Sequence, residues 1–273
     1  MRYGFKTAPQ NTTFDDLLTC WQVADDLEVF ESGWLFDHFE PIFSDRTGPC
    51  LEGWSTLAAL AQATRRLRLG LMVTGNPYRH PSVLANIAAT VDVISDGRLE
   101  IGIGAGWNQD EADALGLELP PLKERFDRFD EACQVLTLLL SQSTSDFAGE
   151  HYQLSGASCE PKPVQRPHPP IVIGGSGPKR TLRAVARYAD HWNQAGGSPS
   201  QFAESLAIMH EHCADAGRDP SEIMTSTQLR FDDPAQIPDL AGRFADVGCD
   251  VAILYIDTPH RPETLEAIAA AIS

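Results

Sequence analysis

Short apolar runs alternate with amphipathic stretches eight times along these 273 residues, and that repetition leaves few folds open. The spacing predicts strands at Arg2–Thr7, Gly33–Phe39, Leu67–Thr74, Arg98–Gly106, Pro170–Gly175, His191–Gln194, Ile223–Arg230 and Val251–Ile256. Between and after them it predicts helices: one capped by Thr12 or Thr13 and running through Leu17 and Trp21 to Phe30, then Trp54–Ala63, Pro81–Ile94, Lys123–Leu140, Thr181–Ala189, Ser200–Ala216, Ile237–Val247 and Pro262–Ile272. Strand followed by helix builds a parallel sheet. Eight such units are the count of a closed (β/α)8 barrel, a TIM barrel of the α/β class, whereas an open doubly wound sheet usually has fewer strands and one glycine fingerprint after the first. The expected organisation is a single domain over 1–273. One excursion, residues 144–169, lies between the fourth helix and the fifth strand; it holds a hairpin over Phe147–Leu154 and a proline-rich extended stretch.

Composition narrows the function. A formal charge of −17 argues against a nucleic-acid surface, which needs clustered Lys and Arg, and favours a small-molecule substrate. Six scattered cysteines without a C-x-x-C, and a start (Met1-Arg2-Tyr3-Gly4-Phe5-Lys6) without an apolar leader, point to reduced thiols in a cytoplasmic protein. No window approaches the roughly 18 apolar residues of a membrane span. No His/Cys/Asp/Glu grouping has metal-ligand spacing, so no metal is expected.

A barrel active site gathers at the C-terminal ends of the strands, and four ends carry unusual residues. The second strand ends in Asp37-His38. Histidine suits acid/base work because its ordinary pKa of about 6.5 allows both protonation states near neutrality, and the bland alternatives are a satisfied core histidine with Asp37 as a cap. The third strand runs Gly70-Leu71-Met72-Val73-Thr74-Gly75, where a bulge could present backbone polar groups to a planar ligand, or where the chain simply turns. The fourth ends in Gly102-Ile103-Gly104-Ala105-Gly106-Trp107-Asn108, glycines that permit close approach of a ring or only form a tight turn. After it, Asp110 and Glu111 are expected to favour the start of a turn. The fifth ends in Gly174-Gly175-Ser176-Gly177, feeding a helix N-terminus with Lys179 and Arg180 nearby, an arrangement suited to phosphate. Asn193, on the sixth strand, completes the set of candidate cofactor contacts. With no metal and no nucleophile elbow, an organic cofactor is expected to carry the hard step.

Taken together, Phe36-Asp37-His38-Phe39, Gly70 to Pro81, Leu99 to Trp107 and Ile173 to Gly177 resemble the luciferase-like monooxygenase family, and more closely its F420-dependent oxidoreductase branch of actinobacteria. The resemblance implies a TIM barrel holding a deazaflavin, with its ring on a non-prolyl cis peptide at Met72-Val73 and its phosphate met by Gly174, Gly175, Ser176 and Gly177. It implies that His38 lies near the reactive carbon, and that Met72, Val73, Thr74, Gly104, Ala105, Gly106, Trp107, Asn108 and Asn193 line the cofactor. A homodimer is also implied. The expected reaction is hydride transfer between coenzyme F420 and a small organic substrate, with His38 as acid/base oriented by Asp37 or a backbone group. The alternatives are an FMN-dependent monooxygenase served by a separate flavin reductase, and a flavin-binding protein without turnover. At one place the chain departs from the branch's sugar-phosphate dehydrogenases: they carry a glutamate right after the fourth-strand glycines, where this chain has Trp107, and the departure implies a substrate other than glucose 6-phosphate.

Overall fold

The alternation closes into a barrel in the computed structural model, which describes residues 1–273. In chain order the elements are β1 (Arg2–Thr7), α1 (Phe14–Asp26), β2 (Phe30–Asp37), α2 (Gly53–Ala63), β3 (Arg68–Gly75), α3 (Pro81–Ile94), β4 (Leu99–Gly104), α4 (Gln109–Leu115) and α5 (Leu122–Ser141). There follow β5 (Ser145–Ala148), β6 (Gln153–Ala157), β7 (Ile171–Gly174), α6 (Thr181–Tyr188), β8 (His191–Gln194), α7 (Pro199–Ala216), β9 (Met224–Leu229), α8 (Ile237–Ala245), β10 (Val251–Ile256) and α9 (Pro262–Ile272). Eight strands form one closed parallel sheet in the order β1-β10-β9-β8-β7-β4-β3-β2. The hairpin β5–β6 stands outside it, antiparallel, at the start of the expected excursion.

Local chemistry sets the element ends. Thr13 caps α1 in a reciprocal box with Asp16, and prolines occupy the first turn of α3, α7, α8 and α9, where no backbone N–H is needed. Two boundaries differ from expectation. Helix α1 stops at Asp26 because Leu27 turns to an extended backbone; Phe30 then opens β2 and packs its ring against Phe5 at 5.5 Å. A seven-residue helix, α4, follows β4 where only a turn is expected; Asn108 Oδ1 accepts the Glu111 N–H and caps it.

The main core lies between the outward faces of the strands and the helices, and includes Phe5, Leu35, Leu69, Ile101, Ile173 and Leu254. Trp34, Met72, Val172, Val251 and Ile253 form a smaller cluster inside the barrel. Register shifts on both sides of β3 mark a bulge, where the Met72–Val73 peptide is cis, at the expected position. A Cβ on Gly102 would stand 1.7 Å from the Leu71 carbonyl oxygen, so only glycine lets β4 approach the bulged strand this closely.

A polar chain threads the barrel beside that cluster. Arg68 Nε donates to Glu100 (2.6 Å), whose other oxygen meets His191 Nδ1 (2.9 Å); His191 Nε2 lies 2.7 Å from Ser226 Oγ. Asn193 Nδ2 donates to the same Ser226 oxygen (2.8 Å), Gln228 Nε2 donates to Asn193 Oδ1 (2.9 Å), and Lys6 Nζ donates to Gln228 Oε1 (3.1 Å) and to the Met72 carbonyl (3.0 Å). These partners satisfy polar groups that burial would otherwise penalise.

Candidate active site

His38 leaves the end of β2 with its ring largely enclosed. Its Nδ1 lies 2.8 Å from Glu111 Oε2, and Tyr78 Oη donates to that same oxygen at 2.5 Å. The other oxygen of Glu111 accepts the backbone N–H groups of Phe39 (2.6 Å) and Glu40 (3.3 Å). Because an ionised carboxylate can only accept, the Glu111 contact assigns the proton to Nδ1 and leaves Nε2 as the ring nitrogen without a protein partner. Burial alone would push the Glu111 carboxyl up; the hydrogen bonds from His38, Tyr78 and the Phe39 amide outweigh it and hold the carboxyl down at about 2. Phe36, Tyr78 and Trp107 meet the imidazole edge-on, with centroids 5.2, 6.2 and 5.6 Å away.

Each partner arrives from a different element. Tyr78 sits in the 3-10 turn Asn76–Tyr78 that follows β3, and Glu111 in the first turn of α4. Asp37 does something else. It is fully buried, both of its oxygens are held by the Arg79 guanidinium, and Arg79 reaches on to Glu52, which caps α2. The expected orientation of His38 by Asp37 is therefore corrected: alternation on the strand turns the aspartate outward, toward Arg79 and α2, and Glu111 holds the histidine.

Val73 forms the floor beside this group. Cβ atoms on Gly104 and Gly174 would stand 2.9 and 3.1 Å from its methyl carbons, so bare backbone of β4 and β7 flanks it. Gly106, with φ +85°, turns the chain out of the barrel, its carbonyl accepting from Arg125 at 2.9 Å; Ala105 packs against the core. Two expected contacts are engaged elsewhere. The Thr74 hydroxyl accepts from Trp54 Nε1 behind the strand, and both ends of the Asn193 amide are bonded inside the barrel, so neither side chain is presented at the mouth. Asn193 contributes instead through its carbonyl, which accepts the Gly175 N–H at 2.9 Å.

The turn Gly174-Gly175-Ser176-Gly177 is further fixed by Trp192 Nε1, which donates to the Gly175 carbonyl at 2.8 Å. Beyond it α6 starts with no side-chain cap, and Arg180 is turned aside to Asp127. A half-buried valine floor edged by glycine backbone, next to an uncapped helix start, fits a flat ring with a phosphate tail. Four of the expected groups, His38, the bulge, Gly104–Trp107 and Gly174–Gly177, thus stand at the C-terminal ends of neighbouring strands. No cluster of three or more His, Cys, Asp or Glu is placed to hold a metal, and no helix is long and apolar enough to cross a membrane.

Comparison with known proteins adds a family model, luciferase-like monooxygenase, which matches residues 1–234. The chain belongs to the luciferase-like monooxygenase family. Among its relatives, the F420-dependent glucose-6-phosphate dehydrogenase of Microbacterium testaceum is 32% identical over 208 residues, covering 76% of this chain and 60% of that protein. The pyrimidine monooxygenase RutA of Allorhizobium ampelinum is 35% identical over 154 residues, covering 55% of this chain and 41% of that one. The chain therefore spans 60% or less of the length of these two relatives. A solved F420-dependent secondary alcohol dehydrogenase superposes with a TM-score of 0.87 at 21% identity, covering 99% of this chain and 97% of the other, and shares the fold.

In this luciferase-like chain, sequence reasoning missed Glu111, Tyr78 and Lys6. A signal for the first existed: Asn108-x-x-Glu111 has the spacing of a helix cap and its third residue. Lys6 is buried with no carboxylate bonded to it; burial, with the nearby Arg230 charge adding to it, pulls its amine down to about 7.

Proposed function

We propose that this chain is a single-domain oxidoreductase that uses coenzyme F420 to move a hydride to or from a small organic substrate. The observation that carries the reading is His38 itself, held at Nδ1 by an ionised Glu111 and open at Nε2, beside a floor and a turn that fit a phosphorylated ring. Val73, Gly104 and Gly174 would hold the ring, and the backbone of Gly174–Gly177 the phosphate. Bound there, the coenzyme supplies hydride chemistry at carbon. His38 supplies the proton: Nε2 gives it to, or takes it from, the substrate oxygen, while Glu111 keeps the other nitrogen protonated and stabilises the imidazolium when it forms. Tyr78 keeps the carboxylate aligned, and Phe36 and Trp107 exclude water from the ring edges. The names of the F420-dependent relatives support this cofactor over FMN, and an F420 enzyme needs no separate flavin reductase. The six cysteines are free thiols, in keeping with a reducing cytoplasm, and a homodimer remains part of the proposal from family resemblance.

Titration with F420 and with FMN, followed by fluorescence, tests the cofactor: saturable F420 binding with FMN at least tenfold weaker is expected, and the reverse order would overturn the assignment. His38→Ala is expected to lower turnover about 10²- to 10⁴-fold while F420 affinity changes less than about threefold. Glu111→Gln is expected to cost up to about 10⁴-fold in turnover with the same small effect on binding, as for a carboxylate that orients a catalytic histidine. Parallel losses of affinity and turnover in either variant would contradict these roles.

A further inference from the structure

The mouth beside His38 carries an aromatic pair, of which the proton chemistry uses only the edge of one ring. Phe43, on the loop between β2 and α2, is 86% exposed and holds φ +55°, a left-handed backbone that bulky residues rarely adopt. Trp107 is 54% exposed, and its ring lies parallel to that of Phe43 within 2°, with centroids 5.7 Å apart. The loop is pinned where it carries the ring. Gln10 donates to the Ile42 carbonyl (3.0 Å) and accepts the Ile42 N–H (2.7 Å), and Asn11 donates to Ser44 Oγ and the Asp45 carbonyl. An exposed phenylalanine held in an unfavourable backbone by its neighbours on both sides is placed, rather than left over from packing.

Charge on this side of the mouth points the same way. Arg46 is paired with Glu40 at 3.1 Å and Asp110 at 3.7 Å, and Arg79 is enclosed between Asp37 and Glu52. Arg46 and Arg79 are thus neutralised by carboxylates, and Arg125, beside Trp107, is turned to the carbonyls of Gly106 (2.9 Å) and Pro120 (2.9 Å). A flat apolar face with an imidazole nitrogen beside it suits a molecule that has a ring to stack and an oxygen to bond.

We propose that Phe43 and Trp107 form the substrate-binding wall, and that they select a flat apolar carbonyl compound of the aryl ketone class, or its alcohol, against phosphorylated sugars. This substrate class rests on the oxidoreductase reading above. Calorimetric titration tests it, with acetophenone and glucose 6-phosphate as probes, on the protein alone and after F420 loading. Acetophenone is expected to bind and glucose 6-phosphate to bind at least tenfold more weakly. Phe43→Ala and Trp107→Ala should each weaken acetophenone about tenfold, Phe43→Ala with F420 affinity kept within about twofold, while Trp107→Phe should retain most of the acetophenone affinity. Acetophenone affinity unchanged in both alanine variants, or tighter glucose 6-phosphate, would overturn the proposal. So would a dimer that hides the pair: the other four tryptophans are buried, so acrylamide quenching of exposed tryptophan reports Trp107, and loss of that quenching on dimerisation assigns the wall to an interface. Should F420 fail to bind, the oxidoreductase reading fails, and the titration of the protein alone still decides whether the wall takes an aromatic ketone.

Discussion

Lys6 shows how much one buried side chain can depend on its surroundings. Its amine donates to the Met72 carbonyl and to Gln228, and with no carboxylate to balance it the neutral form is favoured down to about pH 7. An unfolded lysine keeps its proton to about pH 10.4, so between these values the unfolded chain binds more protons than the folded one and stability rises with pH. Thermal melts of the wild type and Lys6→Met across this window are expected to show the wild type gaining on the variant as pH increases from about 7 to 10; a constant difference would mean that the amine keeps its charge inside the barrel. His38 is the opposite case. Its open nitrogen owes its availability to the carboxylate on the other side of the ring, so the proposed acid/base and its partner form one unit.

At the scale of elements, α4 is the short helix that delivers Glu111. Asn108 caps it, and Gly116 ends it in a left-handed conformation. Asn108→Ala removes the cap, worth about 1 kcal/mol, from only seven residues of helix, and is expected to lower turnover several-fold with a small change in melting temperature. Asn108→Asp, which retains a cap oxygen, should restore most of the activity; equal activity in both variants would show that α4 holds Glu111 without its cap. The eight barrel strands were legible in the sequence because apolar runs bounded by glycine and proline are local signals, and so was the hairpin in the excursion. Helix α4 was not, because seven residues with only Ala112, Ala114 and Leu115 as apolar positions carry too little periodicity to be told from a turn. The end of α1 was misplaced for a related reason: Phe30 fits the helical spacing, but a contact with Phe5 on another strand draws it into the sheet.

For the molecule as a whole, two buried carboxyls at opposite ends of the barrel are expected to contribute to acid sensitivity. Burial would raise both; the bonds from His191 and Arg68 hold Glu100 down at about 2, and those from His38, Tyr78 and Phe39 do the same for Glu111. A depressed folded pKa stabilises the protein above the ordinary carboxylate value of about 4.3, and that stability is lost as pH falls from there through about 2. Melting temperature is expected to drop steeply over this interval and less steeply in Glu100→Gln, as followed by circular dichroism; an unchanged slope would place the acid-sensitive groups elsewhere. By itself the sequence determined the number and order of the strands and of every helix but α4, the barrel they close into, and the glycine-rich and histidine-bearing strand ends, since all of these rest on spacing within a few residues. The partners of the chemistry were decided only by the tertiary structure. Glu111 meets His38 across 73 positions and Gln228 meets Lys6 across 222, because barrel closure and strand register, which no local pattern encodes, bring those side chains within hydrogen-bonding distance.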